Sequence, residues 1–289
     1  MAATHGFDAG RLDRVKSLQD PTLEGAVPTY YTPGYERHAR SLQQFMSDEL
    51  AFYRRELHVE LPLSLAVLDK KQWAQTERQL PYPMPSVTGD PAVAMMPANW
   101  ADAAGVFPKE TDVDPAVVKS VDARGISWVQ ANAQAGDLIG GHELGHAIID
   151  AYGIVPGTRW LNEMLASYVL YCYVERERRD LLWLFDVVQA GNGRPQRYVS
   201  LDDFESLYMT ILTAHGDNYS WYQGQFFDRI KQVYAQRGLE FLSEVRAAFP
   251  PGEAKFASLG NAETLRRLDR IDPGFSAWAR WMSARPQLH

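Results

Sequence analysis

The spacing of apolar residues changes part-way along the chain. Residues 61–68 (LPLSLAVL) alternate and end at Asp69, which predicts a strand, and a further strand is expected around residues 27–32. Between them, residues 34–57 read as a long helix, with Leu42, Phe45, Met46, Leu50, Phe52 and Tyr53 near helical spacing. Prolines at 81, 83, 85 and 91 predict no regular structure across residues 81–91. The apolar run at residues 92–96 then reads as a strand closed by Pro97. From Ser127 onward the pattern is helical almost to the end. It is interrupted near residues 152–157, 191–195, 215–218, 250–252 and 272–274. Strands early and helices late predict an α+β protein. The expected layout is a single unit over residues 1–289: a sheet-containing lobe at 1–151 and a helical lobe at 152–289.

Composition narrows the function classes. With 46% hydrophobic and 22% charged residues the chain is an ordinary globular one, able to bury a sizeable core. A net charge of −7 argues against nucleic acid as a partner. No stretch is apolar enough to span a membrane, and no polybasic amphipathic segment points to a membrane surface. Cys172 is the single cysteine, so no intrachain disulfide forms. The opening MAATHGFDAG has neither a basic nor an apolar signal region, so no secretion signal is expected in this chain. A bacterial cytoplasmic protein and an exported one whose signal has been removed both fit. The oligomeric state is not readable from these features.

The chemistry concentrates at His142-Glu143-Leu144-Gly145-His146, an H-E-x-x-H motif within the helix-compatible apolar residues Leu138, Ile139, Ala147, Ile148 and Ile149. Asp137 is the expected N-cap, and Gly153 with Pro156 the stop. Residues four apart on a helix are separated by about 6 Å of rise and about 40° of turn. His142 and His146 can therefore place imidazole nitrogens on one zinc ion at about 2.0–2.1 Å each. Glu143 projects about 100° from His142. It is turned too far to ligate and placed to act as general base on a water.

A catalytic zinc takes a third protein ligand. A metzincin pattern fails, because Ile149 and Tyr152 stand where its Gly and His would be. Downstream stands Trp160-Leu161-Asn162-Glu163-Met164-Leu165-Ala166-Ser167-Tyr168. This closely resembles the W-L-N-E-x-x-A-x-Y segment of M1-type aminopeptidases and the N-E-x-x-A/S segment of thermolysin-like enzymes. His-Glu-Leu-Gly-His followed by Asp150 also matches the thermolysin pattern. The chain thus resembles the gluzincin, or peptidase MA-like, zinc metallopeptidases, with specific likeness over residues 138–168. The resemblance implies a zincin-like fold, a Zn²⁺ cofactor held by His142, His146 and Glu163, and a peptide or protein substrate. It also implies that the strand at residues 92–96 borders the cleft and pairs with an extended peptide. The M1 G-x-M-E-N motif is absent: the corresponding stretch, Gly89-Asp90-Pro91-Ala92-Val93-Ala94-Met95-Met96, has no glutamate. Aminopeptidase specificity is therefore not expected.

Residues supporting the ligands are expected at Asn162, at Ser167 one turn past Glu163, and at Asp150 one turn past His146. For the donor to the transition-state oxygen, three candidates stand open around the start of a later helix. Tyr222 is nearest to the position of the M1 tyrosine, Tyr219 lies one turn earlier, and His215 could serve as a histidine does in thermolysin-like enzymes. The charge run at residues 175–180 reads as a solvated face. Cys172 and the tryptophans at 183, 221, 278 and 281 read as core. His5, His38, His58 and His289 carry no partner pattern. A binding protein that kept the zinc but not turnover, and a hydrolase of a non-peptide amide, are the rival readings. An intact Glu143 speaks against the first.

Overall fold

The computed structural model describes residue 8 and residues 10–78, 80–103, 107–190, 196–251 and 259–287. The expected break at 191–195, the last residue of the break at 250–252, and His5 and His289 lie outside the described residues.

Five strands form one mixed sheet. In chain order they are β1 (Thr22–Leu23), β2 (Thr29–Tyr31), β3 (Leu63–Leu68), β4 (Ser86–Thr88) and β5 (Ala92–Pro97). Their spatial order is β1-β2-β3-β5-β4, with β2, β3 and β5 parallel and β1 and β4 antiparallel at the edges. Period-two alternation divides the central strands between two faces. Leu63, Leu65, Val67, Ala94 and Met96 join the main core beneath α2 (Glu36–Leu57). Ala66, Leu68, Val93 and Met95 join a smaller core against α1 (Arg11–Ser17) and α3 (Lys70–Thr76), which supply Val15 and Trp73.

The proline-rich stretch departs from expectation. Ser86, Val87 and Thr88 lie between Pro85 and Pro91 and pair with Met95, Ala94 and Val93. Three proline-free residues suffice for an edge strand, because one side of an edge strand needs no ladder partner. Asp69 ends β3 as expected and then caps α3, accepting from the Gln72 amide at 2.8 Å.

Beyond the sheet come α4 (Pro115–Asp122), α5 (Trp128–Tyr152), α6 (Arg159–Glu177), α7 (Trp183–Val188), α8 (Leu201–Ala214), α9 (Gly216–Arg237), α10 (Glu240–Ala248), α11 (Asn261–Ile271) and α12 (Phe275–Ser283). The expected break at 215–218 narrows to His215, where α8 hands over to α9. Helix α5 is central and touches α2, α6, α7, β4 and β5. It starts ten residues before the expected Asp137. Ser127 is its N-cap, and Ser127 and Gln130 make a reciprocal capping box. Asp137 is instead a mid-helix carboxylate that accepts from His38 Nε2 and Trp100 Nε1, both at 2.8 Å. Gly153, at φ 81°, ends the helix as expected.

One apolar core runs through both halves of the chain. Trp221 and Trp278 belong to it, and Cys172 is fully buried. Trp281 does not: it is 49% exposed on the outer side of the short helix α12, with the Arg285 guanidinium 4.8 Å from its ring centroid.

Candidate metal centre

Helices α5 and α6 pack closely enough to bring their polar residues together. At Gly145 an added Cβ would lie 2.5 Å from the Ala166 carbonyl oxygen, so backbone meets backbone there. This contact lies between His142 and His146 on one helix and Glu163 and Ser167 on the other. All four side chains are buried.

Ligand atoms of His142, His146 and Glu163 lie within 4.8 Å of one another. His142 Nε2 is 3.3 Å from Glu163 Oε2, and His146 Nε2 is 3.8 Å from Glu163 Oε1. Two ligands of a tetrahedral zinc, each about 2.0–2.1 Å from the ion, sit about 3.3 Å apart. The three residues could therefore hold a metal ion, with His142 and Glu163 at that spacing and His146 farther off. The far side of each imidazole is held as well. His142 Nδ1 is 2.9 Å from Ser167 Oγ, and His146 Nδ1 is 2.9 Å from the Asn162 side-chain amide. The amide atom facing His146 is Asn162 Nδ2, and with Nδ1 of His142 donating to Ser167 its Nε2 keeps a lone pair for a metal.

Glu163 is held by three donors. Tyr208 of α8 donates to Oε1 at 2.9 Å, while Tyr219 and Gln223 of α9 donate to Oε2 at 2.8 and 3.0 Å. With no metal present, burial opposes its charge, but the hydrogen bond from a protonated His142, the two imidazoles and Tyr219 outweigh that and hold the carboxyl well below the usual range. The phenols of Tyr208 and Tyr219 are pushed up by burial and by the Glu163 charge, so both remain protonated donors. Glu143 lies beside this cluster under a different balance. Burial and the Glu163 charge raise its carboxyl to about 8, against the lowering effects of His142, Arg11 and the Val87 backbone of β4. Without a metal, the two carboxyls are thus pushed in opposite directions by their surroundings.

A cleft of about 530 Å³ opens onto the cluster. Its walls are largely apolar, with Leu138, Leu170, Phe185 and Phe227 on the helical side and Pro83 and Phe107 on the sheet side. No Lys or Arg is among the described residues that line it.

The structure brings Asn162, Ser167 and Tyr219 to the ligands and leaves three other expected residues outside the cleft lining. Asp150 is exposed at the end of α5. Tyr222 is fully buried, and its hydroxyl donates to the Ser200 carbonyl at 2.7 Å. One step along a helix turns a side chain by about 100°, and three steps from Tyr219 carry Tyr222 off the cleft face into the core. His215, at the junction of α8 and α9, packs its ring edge-on against Tyr198. The expected role of residues 92–96 also moves. β5 is enclosed between β3 and β4, so both its ladder sides are used, and the edge strand packed against α5 is β4. Tyr208 and Gln223 are absent from the sequence reading. Gln223 had a signal, lying one turn after Tyr219 on the same helical face, whereas Tyr208 had none.

No family model, curated protein or solved structure matches this chain. Among the described residues no helix is long and apolar enough to cross a membrane.

Proposed function

We propose that the protein is a zinc-dependent metallopeptidase of the gluzincin type. The observation that carries this reading is the placement of a buried Glu143, next in sequence to a His-His-Glu set whose ligand atoms lie within 4.8 Å of one another, on the lining of a cleft. Zinc bound by His142, His146 and Glu163 would supply Lewis acidity toward a carbonyl and a water. Glu143, buried and lining the cleft beside the ligands, takes the proton of the attacking water and passes it to the departing amine. Tyr219, whose phenol lines the cleft, becomes the donor to the oxygen that gains negative charge once its proton turns from Glu163 Oε2, where it rests. An extended peptide lies along β4, the edge strand beside Glu143, adding itself to the sheet. The apolar walls and the lack of a lining cation favour bulky apolar side chains and disfavour carboxylates beside the cut bond.

The test is metal analysis and cleavage of a mixed peptide library by the parent and by Glu143→Gln. The parent is expected to hold one zinc per chain and to lose cleavage on chelation. Glu143→Gln should keep zinc and fold while turnover drops at least about 10²-fold. Zinc retained with undiminished turnover rules out Glu143 as base. Zinc retained with no cleavage by the parent favours a binding protein or a hydrolase of another amide.

A further inference from the structure

Gln223 is buried on α9, and both ends of its amide are used. Its carbonyl oxygen accepts from the Ser167 hydroxyl at 3.4 Å, and that hydroxyl faces His142 Nδ1 at 2.9 Å. Its NH₂ donates to Glu163 Oε2 at 3.0 Å and to the Tyr219 hydroxyl at 2.9 Å. Tyr219 in turn gives its own proton to the same carboxylate oxygen at 2.8 Å. The contacts form a chain from His142 through Ser167 and Gln223 to Glu163, in which every proton has one direction. His142 Nδ1 donates to Ser167, Ser167 donates to Gln223, and Gln223 donates to Glu163.

We infer that Gln223 is a positioning residue for the metal centre, coupling the orientation of the His142 imidazole to that of the Glu163 carboxylate and fixing the Tyr219 hydroxyl. The inference rests on reading His142, His146 and Glu163 as the ligand set. A primary amide is the chemistry this place requires, because the residue must accept on one side and donate twice on the other. A carboxylate at 223 keeps the acceptor but has no donor for Glu163, and sets a second acceptor against it. A leucine supplies neither. In both cases the Glu163 Oε2 lone pairs lose a donor that holds the carboxylate in place, and groups of this kind around a metal are worth about 10–100-fold in affinity.

The experiment measures zinc affinity by competition with a chromogenic chelator for the parent, Gln223→Leu, Gln223→Glu and Tyr222→Phe. Visible spectra of the cobalt(II)-loaded proteins and melting of the metal-free proteins accompany it. Both Gln223 variants should bind zinc about 10–100-fold more weakly and alter the cobalt bands, which report ligand geometry. Tyr222→Phe, a buried change three positions away on the same helix, should leave affinity and spectrum at the parent's values. If Gln223→Leu does not fold, the isosteric Gln223→Glu decides. Parent-like affinity and cobalt spectrum in the variants that fold would overturn the inference while leaving the ligand set standing. Equal losses in the Gln223 variants and in Tyr222→Phe would reduce Gln223 to a packing residue and overturn it also. A parent that binds neither zinc nor cobalt overturns the ligand reading itself.

Discussion

Replacing Gly145 by alanine tests whether the approach of α5 to α6 sets the geometry of the centre. The new Cβ would lie 2.5 Å from the Ala166 carbonyl oxygen and 3.0 Å from its Cα and carbonyl carbon. Ordinary contact starts at 3.4 Å, so the helices must part by up to about 0.9 Å or rotate. The obstacle is backbone and cannot be relieved by a rotamer change. Overpacking of this kind costs about 1–3 kcal/mol. Alanine's better helix propensity returns about 1 kcal/mol of that. A net loss of about 1 kcal/mol lowers the melting temperature by about 2–4 °C in a chain of this class. The effect on metal should be larger in proportion, because ligand distances tolerate only about ±0.2 Å. Glu163 and His142 sit on opposite sides of the contact, so zinc affinity should fall at least about tenfold, as for loss of a supporting residue. Gly140→Ala is the comparison: its Cβ meets Met46 Cε at 2.9 Å and the end of Met96 at 3.1 Å, both far ends of flexible side chains. That variant should keep the parent's zinc affinity. Calorimetry of the metal-free proteins and chelator competition make the measurement. Unchanged zinc affinity in Gly145→Ala would refute the claim that this contact sets the ligand spacing.

Two further outcomes follow from the site and its surroundings. Tyr219→Phe should lower kcat by about 10²-fold, whereas Tyr222→Phe should keep turnover and lose about 1 kcal/mol of stability through the lost hydrogen bond to the Ser200 carbonyl, which keeps only the Phe204 amide, read by steady-state kinetics and thermal melting. His38 lies 2.8 Å from Asp137 and 3.0 Å from the Ala98 carbonyl; burial lowers its pKa, but these acceptors outweigh burial and leave it raised. A raised folded-state pKa stabilises fully below the unfolded value of about 6.5 and fades as pH rises through the folded value. His38→Ala should therefore cost more at pH 5.5 than at pH 8.5, by under about 1 kcal/mol for a partly exposed pair, and equal melting shifts at both pH values would contradict this.

What the sequence made legible divides along physical lines. The alternation of Leu63, Leu65 and Val67, the helical spacing of Leu42, Met46 and Leu50, and the i,i+4 histidines are all local, and each matches its observed element. Ser167 and Asn162 could be placed because they lie one turn after and one residue before Glu163 on the same helix. The donors around Glu163 come from 45 to 60 residues further along the chain, and periodicity carries no information about them. Asp137 shows the hazard in miniature: it has the composition of a cap, yet Ser127 and Gln130 form the real one and Asp137 binds His38 instead. Helix α9 shows how the ambiguity could have been resolved. Two aromatic-led stripes run along it, Tyr219 with Gln223 and Tyr222 with Phe226, about 60° apart around the axis. Nearness to the position of the M1 tyrosine favours the second stripe. Yet Tyr222 and Phe226 are both fully buried in the apolar core, while Tyr219 is followed one turn later by an amide. An amide one turn from a tyrosine on a helix buried among aromatics demands polar partners. Those partners are Glu163 and Ser167, so the stripe that faces the centre is the one whose second member could not be satisfied in a core.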